Sequence, residues 1–184
     1  MTPFARKILP NLIADTQGAE IAEAAAVLPL MFTILLGIFW FGQAYSIYGA
    51  ITRAAVDGAR AGSLPYCATC IGNYSISQYS ANAVAAVQAD LLASKLDPSL
   101  AQFPSPQPTF VACPGTQSNT ACNSTASTNV CVQLPVLLQT GVGTGPCGVS
   151  VTFQYPFQFW LPFTSLNNQR IYISASAQAP NQTQ

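Results

Sequence analysis

The residues best equipped for chemistry are six cysteines, Cys67, Cys70, Cys113, Cys122, Cys131 and Cys147. Cys67-Ala-Thr-Cys70 has the spacing of half a zinc site or of a redox pair. A zinc site wants a second close pair, and the other four cysteines are spaced too widely to supply one. A thioredoxin-like redox pair wants βαβ surroundings, which the flanking sequence lacks. An even number of cysteines in a small domain reads instead as disulfides formed in an oxidising compartment. The pairing stays open, since six cysteines permit about 15 connectivities. The chain has no histidine, the commonest general base and metal ligand. Its outer acids are Asp57, Asp90 and Asp97. Asp57 lies between Arg53 and Arg60 at helical spacing and reads as their ion-pair partner. Asp97 precedes Pro98 and reads as a helix stop. No carboxylate pair or nucleophile–base set can be assembled, so neither enzymatic activity nor a metal or other cofactor is expected. Gly143-Thr-Gly-Pro-Cys-Gly148 matches GxGxxG literally, but Pro146 interrupts it, a strand pattern follows and no acid comes later. It reads as a turn.

Composition narrows the possible partners. The chain is 50% hydrophobic and 7% charged, with zero net charge, against about 25% charged in an average soluble protein. From Pro98 to Gln184 the only charged side chain is Arg170. No basic surface exists to hold phosphates, so nucleic acid is not an expected partner.

The elements that must position these residues start with an apolar block. Residues 1–18 are short, mildly basic and broken by Pro3 and Pro10. From Ala24 to Ile47 the chain is uncharged, and as a helix this block spans roughly 36 Å, enough for a bilayer core of about 30 Å. Trp40, Tyr45 and Tyr48 gather at its far end, where aromatic rings favour the membrane interface. The block is much longer than the core of a cleaved secretory signal, although Tyr48-Gly-Ala50 has the small residues of a cleavage site. Arg6 and Lys7 before the span balance Arg53 and Arg60 after it, so charge does not orient it. The cysteines favour an exported C-terminal domain.

The helix is expected to continue through ITRAAVDGARAGS and to end near Gly62. Gly42, Ser46, Ala50, Ala54, Gly58 and Gly62 are small residues four apart. Such a stripe lets another helix cross closely over two or three turns. A second helix is expected from Ile76 to Leu96, with Ile76, Ser80, Ala83, Val84, Val87, Leu91 and Leu92 on one face. Prolines alternate through QFPSPQPTF, an extended linker or edge segment. Strands are expected at 109–113, 130–134, 148–155 and 169–178. GVSVTFQY and RIYISASA alternate apolar with polar and imply a half-buried antiparallel sheet whose apolar face covers the second helix. The fold class is therefore α+β: a long transmembrane and stem helix, then a small disulfide-bonded domain.

Around the anchor the sequence reads Gly18-Ala-Glu-Ile-Ala-Glu23, followed by apolar residues including Leu28-Pro29. This resembles the processing site of a type IV prepilin. VLPLMFTILLGIFWFGQAY and GAITRAAVDGARAGS resemble the TadE-like pseudopilin family of the tight-adherence pilus, and VTFQYPF with RIYISASAQ resembles its C-terminal strands. Trp40 departs from the pattern, since many relatives are acidic there. The resemblance implies a leader, residues 1–18, cleaved after Gly18 by a prepilin peptidase, with Ala19 as the new N-terminus. It implies an anchor and stem over 19–62, an exported domain over 63–184, and Glu23 as an assembly residue. The implied partners are the inner membrane, other pilin subunits and the pilus assembly machinery, in a role supporting assembly, adhesion or associated secretion. Independently of the resemblance, an unpaired Glu23 at the edge of an apolar helix is costly, and a neighbour's protonated N-terminus would compensate it. The alternative is a membrane-tethered or secreted carbohydrate-binding adhesin, whose sugar contacts the many Ser, Thr, Asn, Gln and aromatic residues would suit.

Overall fold

The computed structural model describes residues 16–63, 76–113, 122, 129–138, 145–158 and 170–181. Its first element, α1 (Thr16–Ser63), is a single 48-residue helix. Ala, Gly, Ile and Leu are its commonest residues, and its internal breaker is Pro29. Pro29 has no N–H, which leaves the carbonyl of Ala25 without its usual donor. The chain divides into two compact units, Met1–Gln43 and Ala44–Gln184.

In the second unit α2 (Ile76–Ala93) follows. It ends three residues before the expected Leu96, through main-chain geometry that no glycine announces. Lys95 takes a left-handed conformation with φ of 59°. Its N–H bonds the Leu92 carbonyl at 2.9 Å, and the Leu96 N–H reaches back to Leu91 at 2.8 Å. This is the Schellman closure, completed by Leu96 packing on the core that contains Leu91. Asp97 does not stop the helix. It caps the next 3₁₀ turn, Pro98–Leu100, by accepting from the Ser99 N–H at 2.9 Å. Leu92, expected on the apolar face, is 63% exposed.

Three antiparallel strands, β1 (Cys131–Leu137), β2 (Cys147–Gln158) and β3 (Arg170–Pro180), form a sheet with β2 in the centre. β2 and β3 pair without a break from Gly148↔Pro180 to Gln158↔Arg170. β1 shifts register between Gln133 and Val136, where Pro135 has no N–H to offer. The strand expected at 109–113 is reduced to a stub. Leu137 donates to the Val111 carbonyl at 2.8 Å and Cys113 to the Pro135 carbonyl at 3.3 Å.

β3 alternates as its sequence predicts, with Ala175, Ala177 and Ala179 buried between exposed neighbours. β2 does not. Its polar Ser150 and Thr152 are only 1% and 6% exposed. The proline-rich 102–113 segment contacts the sheet's polar face: Gln133 Nε2 donates to the Pro108 carbonyl at 3.0 Å, and Gln154 Nε2 to that of Ser105 at 3.4 Å. Alternation assumes that one face meets water, and a central strand covered on both faces breaks that assumption.

The other face of the sheet carries the core. Val132, Val149, Val151, Phe153 and Tyr155 pack with Ile51, Ala54, Ala55 and Ala59 of α1 and with Ala83, Val87 and Leu91 of α2. Disulfides Cys113–Cys147 and Cys122–Cys131 tie the loops to the starts of β2 and β1. Cys67 and Cys70 lie outside the described residues.

Candidate functional site

The first candidate site is the apolar stretch of α1. Within the first unit, Leu28, Leu30, Met31, Phe32, Ile34, Leu35, Ile38, Phe39 and Phe41 are all more than half exposed. Burying large apolar groups is the main stabilising term of folding, so a helix that leaves so many bare has a surface suited to a membrane or to a partner. This helix is long and apolar enough to cross a membrane. Glu20 and Glu23 stand at its start with exposed side chains. Gly18 and Ala19 are in the helix's first turn, and residues 1–15 of the expected leader lie outside the described residues.

The small-residue stripe divides. Gly42 and Ser46 are exposed and Ala50 is partly buried, whereas Ala54, Gly58 and Gly62 are buried. The helix that uses the buried end is the chain's own α2. A Cβ on Gly58 would collide with Val87 Cγ2 and come within 3.1 Å of the Ala83 carbonyl oxygen. A Cβ on Gly62 would lie 3.1 Å from both Ala83 Cβ and Val149 Cγ1. These glycines let α1 approach α2 and β2 more closely than any side chain would permit. At Gly42 a Cβ would meet nothing within 4 Å.

The opposite face of α1 from Tyr45 to Arg60 is open. Asp57 lies 3.8 Å from Arg53 and 3.7 Å from Arg60, one carboxylate serving two largely exposed guanidinium groups. Such exposed pairs are worth about 0–1 kcal/mol each and do little for stability. Asp57 also acts on the Asp90 carboxyl of α2. Burial pushes the Asp90 carboxyl above its ordinary range, and a hydrogen bond to Asp57 and its like charge add to this, while Arg53 opposes them.

At the other end of the domain, Tyr155 Oη accepts from the Asp97 N–H at 3.1 Å. Burial raises the Tyr155 phenol, and hydrogen bonds from Ser99 lower the exposed Asp97 carboxyl. The tie holds the end of the α2 turn onto the sheet.

Cys113, Cys122, Cys131 and Cys147 are bonded to one another in pairs, so these four sulfurs are not thiolate ligands. Of the GxGxxG match, Gly143 and Thr144 lie outside the described residues, and the rest leads into β2.

No curated protein and no solved structure gives a significant match to the chain. The sequence model of one family does match, over residues 18–60. Those residues cover the two glutamates, the exposed apolar stretch and the part of α1 that packs against α2, and over them the chain is similar to TadE-like proteins.

Proposed function

We propose that the chain is a membrane-anchored minor pilin or pseudopilin of a tight-adherence pilus, with a structural and not an enzymatic role. The observation that carries this reading is the TadE-like match falling on the helix whose apolar side chains are bare. In this reading α1 anchors the subunit in the inner membrane, and the disulfide-bonded domain is exported to support assembly, adhesion or associated secretion. A prepilin peptidase removes residues 1–18 and frees the Ala19 amine. Glu23 then pairs with the N-terminal amine of a neighbouring subunit, because in a low-dielectric setting each charge needs the other.

Replacing Glu23 tests that pairing apart from membrane insertion. Glu23→Ala removes a charge from an apolar segment, so insertion and leader removal should be unchanged. Recovery with other pilus subunits should drop, with Glu20→Ala as the control that behaves as wild type. Equal co-purification of both variants would leave Glu23 as a headgroup-facing residue and remove its assembly role.

A further inference from the structure

α1 carries no charge between Glu23 and Arg53. As one helix that stretch rises roughly 45 Å, the thickness of a bilayer with both headgroup regions, about 40–45 Å. With Glu23 at one headgroup region, Arg53 stands at the other. Around Arg53 the helix has two unlike sides. Ile51, Ala54 and Ala55 are buried in the core. The other side holds a cleft of about 490 Å³, whose lining includes Tyr45, Tyr48, Gly49, Thr52, Arg53 and Arg60. Tyr45, Gly49 and Arg53 are steps of four on one helix face. A Cβ on Gly49 would meet nothing within 4 Å, so the glycine leaves a gap between a ring and a guanidinium. Tyr45 is 77% exposed and the Arg53 side chain 82%.

We propose that this cleft binds the headgroup of one anionic phospholipid, with the phosphate on Arg53, the glycerol over Gly49 and the start of the acyl chains beside Tyr45 and Tyr48. The order of these residues along the helix, out from the apolar stretch, is the order of the groups in a lipid. Aromatic rings suit the boundary between acyl chain and headgroup, and a guanidinium suits a phosphate. Arg53 has donors to give. Asp57 approaches one nitrogen of Arg53 at 3.8 Å and one of Arg60 at 3.7 Å, beyond the roughly 2.7–2.9 Å of a charge-assisted hydrogen bond, and a guanidinium has several N–H groups. The charged groups lining the cleft are Arg53, Asp57 and Arg60, two cations to one anion. The single negative charge of a phosphodiester cancels the excess. A headgroup with its own ammonium brings no net charge to cancel it and sets a cation beside Arg60. Two guanidinium groups make no surface for a polyanion such as nucleic acid, but one phosphate needs no more. The site rests on α1 being the membrane anchor.

The test uses the full chain in detergent micelles, titrated with phosphatidylglycerol, phosphatidylethanolamine or phosphatidylcholine, the bound lipids being counted by native mass spectrometry. One phosphatidylglycerol should be retained per chain, roughly five-fold more tightly than either zwitterionic lipid. Arg53→Gln should weaken that retention by roughly five-fold. Gly49→Leu fills the gap and keeps every charge, and it should weaken retention as much. Both positions are exposed, so neither change disturbs the core. Arg170→Gln removes an exposed charge from β3 and should bind as wild type. Equal retention of the three lipids overturns the site. So does wild-type binding by Arg53→Gln or by Gly49→Leu, the latter because the attraction is then one of charge alone. An excess of inorganic phosphate should not displace the lipid; if it does, the ligand is free phosphate and the lipid is dropped. Insertion is read separately, by resistance of the membrane-bound chain to alkaline carbonate. A chain that washes off overturns the anchor and the site together, whereas an inserted chain without lipid preference overturns the site alone.

Discussion

Gly58 offers a change of one methyl group whose sign follows from the structure. In an open helix Gly→Ala is favourable by about 0.8–1 kcal/mol, because the backbone loses less entropy. At Gly58 the new Cβ runs into Val87 Cγ2 and presses on the Ala83 backbone oxygen. Val87 is fully buried and β-branched, so its methyl has nowhere to rotate. Overpacking of this kind costs about 1–3 kcal/mol. The net expectation is a loss of about 1 kcal/mol, a fall of roughly 2–4 °C in the melting midpoint of a chain this size. Gly49→Ala is the matched control, since nothing lies within 4 Å of a Cβ there, and it should gain up to about 1 kcal/mol. Thermal melts of the detergent-solubilised chain read both. Adding Val87→Ala makes room for the methyl, so the double variant should be about 1 kcal/mol more stable than the sum of its singles. If Gly58→Ala melts at or above wild type, or if the two changes are additive, α1 and α2 do not meet as described.

The disulfides and the Tyr155 tie give two further expectations. The Cys113–Cys147 bridge closes a separation of 34 residues and Cys122–Cys131 one of 9. Loop-closure entropy then predicts losses of about 3.8 and about 2.6 kcal/mol when each pair is changed to serine, read as the order of the denaturant midpoints. The reverse order would show that chain entropy does not govern them. Tyr155 favours its neutral form when folded, so its contribution is complete below its unfolded value of 10.0 and fades as pH rises through the raised folded one. Tyr155→Phe should lose about 1 kcal/mol at neutral pH with the Asp97 hydrogen bond, yet give a flatter stability profile in alkali. Parallel alkaline profiles for the two proteins would contradict this.

What the sequence revealed were features written in local periodicity. The uncharged run from Ala24 to Ile47 reads as a span because length and charge decide that alone. The Arg53–Asp57–Arg60 cluster follows from steps of three and four on one helix. The β2–β3 pair follows from alternation, which held in β3 and failed in β2. That failure is non-local: the 102–113 segment that contacts Gln133 and Gln154 lies far from β2 in the chain. The end of α2 rests on a lysine in a glycine's conformation, which composition cannot announce. The small-residue stripe was visible, but its partner helix was not, because spacing shows that a close approach is possible without naming what approaches. The disulfide partners were hidden for the same reason.

The central claim is that α1 is the anchor of a processed pilus subunit, and the N-terminus of the mature chain tests it most directly. The chain extracted from membranes would be sequenced from its amino end, or its intact mass measured. The expected start is Ala19, lost in Gly18→Lys, with the rest of α1 retained. A chain that begins near Thr52 has shed the apolar stretch as a secretory signal, and one that keeps Met1 has never met the peptidase; either result contradicts the claim.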